Sequence, residues 1–260
     1  MRQDAAHRVA IAPSASTASA LSALSVYDCD SDGPAVAIPR AEVHLVARFG
    51  PAARNGVDVH AFGARQRVHR KTIRRGQRTV TARLRLGVPA AVLGVPAAAI
   101  TGRIVALDDL WGAAAVRRLY ARLGDARDTA DAAALLQSTI AQRLPAANDR
   151  PAGEQLALAA AARLTSADVN AVADELGVSE RHLRRVFHDT VGVSPKAFAK
   201  LARFRRALRA ARAEVHTQWA GIAAAAGYYD QAHLIADFRA IAGVTPRALL
   251  GELRTGRSIG

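Results

Sequence analysis

Gly177-Val178-Ser179-Glu180-Arg181-His182-Leu183-Arg184-Arg185-Val186-Phe187, closing at Gly192-Val193-Ser194-Pro195, is the stretch whose reading decides the fold. Val172, Ala173 and Leu176 before it recur at helical spacing, with Thr165 or Ser166 in place to cap that first helix. Gly177 supplies a left-handed turn that other residues resist. Ser179 then caps a second helix, whose Leu183, Val186 and Phe187 form one apolar stripe. The same sentence is written again fifty residues on. Ile222 to Ala226 precede Gly227-Tyr228-Tyr229-Asp230, then Gln231-Ala232-His233-Leu234 and Phe238 follow, and the exit is Gly243-Val244-Thr245-Pro246. Two helix-turn-helix units within about a hundred residues point to DNA.

With Leu183, Val186 and Phe187 facing inward, Arg181, Arg184, Arg185 and His188 fall on or near the outer face. An arginine early in a groove-bound helix can hold guanine O6 and N7 with both arms of its fork. Ser179 can also present its helix N-terminus to a phosphate. The bland alternative is that these arginines grip backbone or decorate a solvated surface. Lys200 to Arg212 reads as a long basic helix bridging the two units, with Arg203 and Arg206 available to phosphates or simply solvated. In the second unit Asp230 caps, and Gln231 can pair with adenine or a phosphate. Ala232 and Ala236 can touch a thymine methyl at most, so readout should be lopsided toward the first unit. His233, beside Leu234, reads as a packed or capping side chain rather than a ligand.

Outward from these units, 260 residues suggest two domains, and an apolar half of the chain can fill two cores. Lys and Arg total 36 against 22 Asp and Glu, a net +14 that favours a polyanionic partner. Lysine is confined to Lys71, Lys196 and Lys200, so a GC-rich coding bias is an alternative source of the arginine. The single Cys29 rules out an internal disulfide and fits a reducing cytoplasm. No apolar run approaches a membrane span. Residues 11–26 loosely imitate a signal peptide but are too polar for one, and a cytoplasmic location is expected.

Before residue 145 two zones are visible. Residues 41–87 hold strand-like segments at 42–49, 57–62 and 79–86, separated by glycine turns, which predicts a half-buried antiparallel sheet, either open or curled into a barrel. Residues 89–144 turn helical, with Leu110, Trp111, Val116, Leu119, Tyr120 and Leu123 in one pattern and Leu135, Leu136, Ile140 and Leu144 in another. The helical pair either covers the sheet or dimerises. The expected division is 1–145 as a sensor- or dimerisation-like domain, 146–153 as linker and 154–254 as the DNA-binding domain. Pro145, Pro151 and Gly153 punctuate the join.

The residues from Ser179 to Phe187, those from Ala226 to Leu234, and the paired Gly-x-Ser-Pro and Gly-x-Thr-Pro exits resemble the C-terminal domain of the AraC/XylS family of bacterial transcription regulators. The resemblance covers roughly 154–253. It implies an α+β chain whose C-terminal part is an all-α, seven-helix tandem helix-turn-helix domain. By position it implies that Arg181, Arg184 and Arg185 read or grip one groove segment and Gln231, Ala232 and Ala236 the next. Leu93-Gly94-Val95-Pro96-Ala97 and Leu107-Asp108-Asp109-Leu110-Trp111-Gly112 resemble a sensor-type domain paired with this unit in some regulators. Double-stranded DNA is the implied partner. A small-molecule effector and a homodimer stay open, and RNA polymerase joins them for an activator.

No cofactor, metal or membrane is expected, and no enzyme. His44, His60 and His69 lack compact ligand spacing, Cys29 between Asp28 and Asp30 is a poor nucleophile candidate, and no glycine-rich phosphate loop with lysine occurs. A non-specific nucleoid protein, or an enzyme fused to a DNA-binding unit, is the alternative. Phe49, Phe62, Trp111 and Tyr120 either line an effector pocket or pack a core. The sheet zone shows no evident charged anchor, which favours an apolar or uncharged effector.

Overall fold

A computed structural model describes residues 8–50, 53–145, 150–214 and 217–259. The N-terminal region is a six-stranded antiparallel sheet ordered β1-β2-β7-β4-β5-β8. Its strands are β1 (Arg8–Ile11), β2 (Leu21–Asp28), β4 (His44–Phe49), β5 (Val57–Phe62), β7 (Arg78–Leu84) and β8 (Ile104–Ala106). The register sets Leu45 opposite both Ala61 and Ala82, and Ala47 opposite both Val59 and Val80. Because side chains alternate along a strand, this gathers one wholly apolar face.

That face is covered by α1 (Pro89–Leu93), α2 (Leu107–Trp111), α3 (Ala113–Gly124) and α4 (Thr129–Ala141). Val116, Leu119 and Leu123 of α3, with Ala132, Ala133, Leu136 and Ile140 of α4, are buried against it. Helix α3 lies on β5 and α4 on β2 and β7, so the helical pair covers the sheet. Phe49 is in this core, with Trp111 and Tyr120 packed on its margin. Indole Nε1 of Trp111 donates to the Val92 carbonyl at 3.0 Å.

A second sheet, ordered β6-β3-β9, pairs β3 (Gly33–Ala37) antiparallel with β6 (His69–Ile73) and parallel with the backbone of β9 (Arg257–Ile259). It lies over the outer face of the large sheet and leaves a cavity of about 250 Å³ between them. Here the structure corrects the sequence reading. Among the described residues strand structure begins at residue 8, not 41, and residues 21–28, within and just beyond the signal-like segment, form an interior strand. Phe62 lines the cavity together with Arg48, Arg65 and Lys71, so the sheet zone does carry charged side chains facing enclosed space.

The C-terminal region is seven helices among the described residues: α5 (Ala152–Arg163), α6 (Val169–Glu175), α7 (Glu180–Val191), α8 (Pro195–Ala213), α9 (Trp219–Ala226), α10 (Gln231–Ala242) and α11 (Pro246–Thr255). Of the expected linker, residues 146–149 lie outside the described residues. Two apolar cores form, one around Leu183, Phe187 and α5, the other around Phe204, Leu234 and Phe238. The N-terminal region enters both: Ala41 and Ala64 join the first and Val36 the second. No helix among the described residues is long and apolar enough to cross a membrane.

Candidate nucleic-acid interface

Each helix-turn-helix is built by the same local chemistry. Asp168, rather than Thr165 or Ser166, caps α6, its carboxylate accepting from the Ala171 amide at 2.9 Å. An aspartate two residues nearer the apolar pattern outcompetes the hydroxyls, which instead donate to Ala162 and Arg163 carbonyls. Val172 and Ala173 are buried, and Gly177 turns the chain at φ +67°. Ser179 caps α7 by accepting from the His182 amide. Leu183, Val186, Phe187 and Val191 fill the inner face of α7. In the second unit Gly227 takes φ +82° and Asp230 accepts from the His233 amide at 2.7 Å.

The exits are a second repeated device. Gly192 and Gly243 end α7 and α10 in left-handed conformation. Ser194 and Thr245 then cap α8 and α11 through the Ala197 and Ala248 amides. Pro195 and Pro246 occupy the first helical position, where their missing N–H costs nothing. A tight stop and an immediate restart explain why Gly-x-Ser/Thr-Pro recurs.

On the outer surface of α7, Arg181, His182, Arg184, Arg185 and His188 are all exposed, as is Ser179. Arg184 is ion-paired with Glu180 one turn back. Arg185 Nη2 lies 3.3 Å from His182 Nδ1. Arg181 has no ion-pair partner among the described residues, so its fork is unoccupied. The outer surface of α10 is chemically thinner. Gln231, Ala232 and Ala236 are exposed, and Tyr229 just before the helix is 93% exposed. His233 is also exposed, its ring edge-on to Tyr228 at 5.2 Å.

Two sequence-predicted arginines are occupied elsewhere. Helix α8 spans about 28 Å at ~1.5 Å per residue and separates the two units. From it, Arg206 donates through Nη2 to the Thr165 carbonyl at 2.8 Å and through Nη1 to the Ala226 carbonyl at 3.2 Å. It thus ties the segment before α6 to the end of α9. Arg203 lies over the Tyr228 ring at 5.6 Å and within 3.9 Å of Asp237. Lys200 reaches the same carboxylate at 3.0 Å. Asp237, buried on α10, was missed from sequence; an acidic residue beside the inward Leu234 and Phe238 was its only signal. Burial, then the Asp237 charge, pushes the Tyr228 hydroxyl up from its usual range.

Of His44, His60 and His69, the first and last line the inter-sheet cavity and His60 sits 3.2 Å from Asp58. No cluster of three or more metal-ligating side chains occurs among the described residues.

Residues 172–252 match the family model described as a helix-turn-helix domain. No curated protein matches the chain. Among solved structures, a transcriptional regulator with an AraC-type DNA-binding domain from Chromobacterium violaceum is 23% identical, covering 39% of this chain and 96% of its own, with a TM-score of 0.34. ToxT from Vibrio cholerae is 10% identical over 88% of this chain and 97% of its own, with a TM-score of 0.45. A DNA-binding transcriptional dual regulator from Escherichia coli K-12 is 18% identical over 43% of this chain and 99% of its own, with a TM-score of 0.34. The matched residues 172–252 run from within α6 to within α11 and hold both turns, so this part of the chain is a helix-turn-helix domain.

Proposed function

We propose that this protein is a cytoplasmic, sequence-specific regulator of transcription, not an enzyme, that lays α7 and α10 in successive major-groove segments about one helical turn apart. The observation that carries this reading is the pair of capped helices on one rigid α8, the first presenting Arg181, Arg184 and Arg185 to solvent. Arg181 and Arg185 are assigned to bases or the phosphates beside them, and Ser179 to a phosphate at the α7 N-terminus. Gln231, Ala232 and Ala236 are assigned to shape and backbone fit. Arg206 and Arg203 are assigned to holding the two units at a fixed spacing. The division into residues 1–145, a linker at 146–153 and a DNA-binding unit at 154–254 belongs to the same reading, with the N-terminal unit modulating DNA binding.

The test is binding of the full chain to its own upstream DNA and to scrambled DNA of equal length across a salt series. Tighter binding to the upstream fragment at every salt concentration supports the reading. Equal binding that fades steeply with salt replaces it with a non-specific, charge-driven role, which the net charge of +14 would serve.

A further inference from the structure

The cavity between the two sheets has an unbalanced charge. Arg48, Arg65 and Lys71 all line it. Arg48 is neutralised by Asp58, through Nε at 2.7 Å and Nη2 at 2.8 Å. That carboxylate is then fully engaged, since it also accepts from the Arg54 amide. Arg65 and Lys71 have no carboxylate partner among the described residues; Arg65 only lies over the Phe62 ring, at 4.9 Å. Burial, followed by the charges of Arg48 and Arg65, holds the Lys71 ammonium below the usual lysine range. His44, buried among Arg83, Arg40, Arg65 and Arg205, is kept neutral, and its Nε2 is buried with no hydrogen-bond partner among the described residues. Arg65 is half-buried and Lys71 is exposed, yet both face this cavity without a counter-charge, and their mutual repulsion would be relieved by an anion bound between them.

The walls describe the rest of that occupant. Val46, Phe62, Ile73 and Ile104 give apolar surface, and Thr79 and Thr81 give hydroxyls. The volume of about 250 Å³ lies near the lower end of small-molecule sites, roughly 300–1,000 Å³, and is far beyond a single inorganic ion.

One wall of the cavity is also the seam with the second helix-turn-helix. Along β6, His69, Lys71 and Ile73 line the cavity. Arg70, between them, points the other way, donating to Glu252 of α11 at 2.8 and 3.1 Å and to the Ala242 carbonyl at 3.0 Å. The Val68 amide just before β6 donates to the Ile241 carbonyl at 2.8 Å. On β3, Ala37 lines the cavity while Val36 is buried in the core around Phe238.

We propose that this cavity binds a small organic anion with an apolar body, held by Lys71 and Arg65, and that β6 transmits its occupancy to α10 and α11. The transmission half rests on the regulator reading for its purpose; the binding half does not. A ligand that draws Lys71 inward moves a strand whose next residue grips α11. The anionic group is a carboxylate or a phosphate monoester, and the two are separable by experiment.

The test is calorimetric titration of the full chain with phenylacetate, phenyl phosphate and the neutral phenylacetamide. At least one anion should bind tenfold or more tightly than the amide, and the better anion identifies the head group. Lys71→Gln and Arg65→Gln should each bring that ratio toward one. Equal binding of the amide, no binding of any probe, or a ratio that survives in both variants overturns the site. Transmission is read by hydrogen exchange at the amides of α10 and α11. The better anion should change their protection in the wild type and leave it unchanged in Arg70→Ala, which still binds the anion. Binding with no change in exchange overturns the transmission. Neither readout uses DNA, so a failure of specific DNA binding would be seen separately.

Discussion

The Thr101 hydroxyl donates to the Gly192 carbonyl at 2.6 Å, across 91 residues of chain. Thr101 follows the short 3-10 turn Ala97–Ile100 that the Leu-Gly-Val-Pro-Ala element leads into, and Gly192 is the left-handed stop of α7. The N-terminal region therefore rests on the exit of α7. It also holds the second unit through Arg70 and Glu252, and it reaches α8 through Glu42 and Arg205 at 3.5 Å. Both helix-turn-helix units are tied to one body.

Gly192 serves twice, and that separates it from its counterpart. A methyl there would overlap Thr101 Oγ1 and come within 3.1 Å of the Ala97 carbonyl, whereas one on Gly243 meets nothing. Both substitutions pay about 1–2 kcal/mol for a left-handed backbone. Gly192→Ala adds overpacking of about 1–3 kcal/mol. Urea denaturation should rank Gly192→Ala well below Gly243→Ala in stability. Thr101→Ala combined with Gly192→Ala should lose less than the sum of the two, because the variants share one contact.

Arg206 and Arg181 should separate by what they hold. Arg206→Ala strands the Thr165 and Ala226 carbonyls and should lower unfolding free energy by about 2 kcal/mol. Arg206→Lys should recover little of this, since one ammonium cannot serve two carbonyls facing different helices. Arg181→Ala should leave stability within about 0.5 kcal/mol, as surface substitutions do. Its effect should appear in DNA binding instead. A loss on specific DNA larger than on scrambled DNA assigns it to a base, and an equal loss assigns it to a phosphate.

His44 makes stability fall in mild acid. Burial, then the charges of Arg83, Arg40, Arg65 and Arg205, lowers its pKa from 6.5 to about 3. Between those values the unfolded chain takes a proton that the folded one refuses. The stabilisation is complete above pH 6.5 and is lost as pH falls toward 3, at up to ~1.4 kcal/mol per unit. Between pH 6.5 and 5 the wild type should lose about 2 kcal/mol more than His44→Gln. Parallel losses in the two proteins would remove His44 as the cause.

How much of this was legible in the sequence follows from how local the causes are. Caps, left-handed glycines and Pro at a helix start act within four residues, so both helix-turn-helix units could be read directly. Strand β2 could not, because its burial does not alternate: the helical core covers one face and the second sheet the other. Strand β6, His-Arg-Lys-Thr-Ile, reads as a basic loop, and only its partners, β3 on one edge and α11 on one face, make it a strand with two jobs. Arg206 has the spacing of a solvated arginine. The two carbonyls that occupy it are 41 and 20 residues away. The lining of the cavity shares that problem, since Arg65 and Lys71 become neighbours only once the second sheet closes over the first.

The asymmetry between α7 and α10 leads to the last prediction. Helix α7 presents arginine forks that can take two acceptors of one base, while Ala232 and Ala236 on α10 have no donor to offer. Base-pair substitutions in the segment under α7 should cost about 1–3 kcal/mol each. Those under α10 should cost less, and should follow DNA flexibility rather than base identity. Competition binding with a panel of singly substituted upstream fragments measures both. Equal, base-specific losses under α10 would mean that a side chain outside the alanine face is reading. Tyr229, Gln231, His233 and Arg239 are exposed groups on or beside that helix with the chemistry to do it. Substituting each to Ala would identify which, because only the true reader should relax preference at a single base pair.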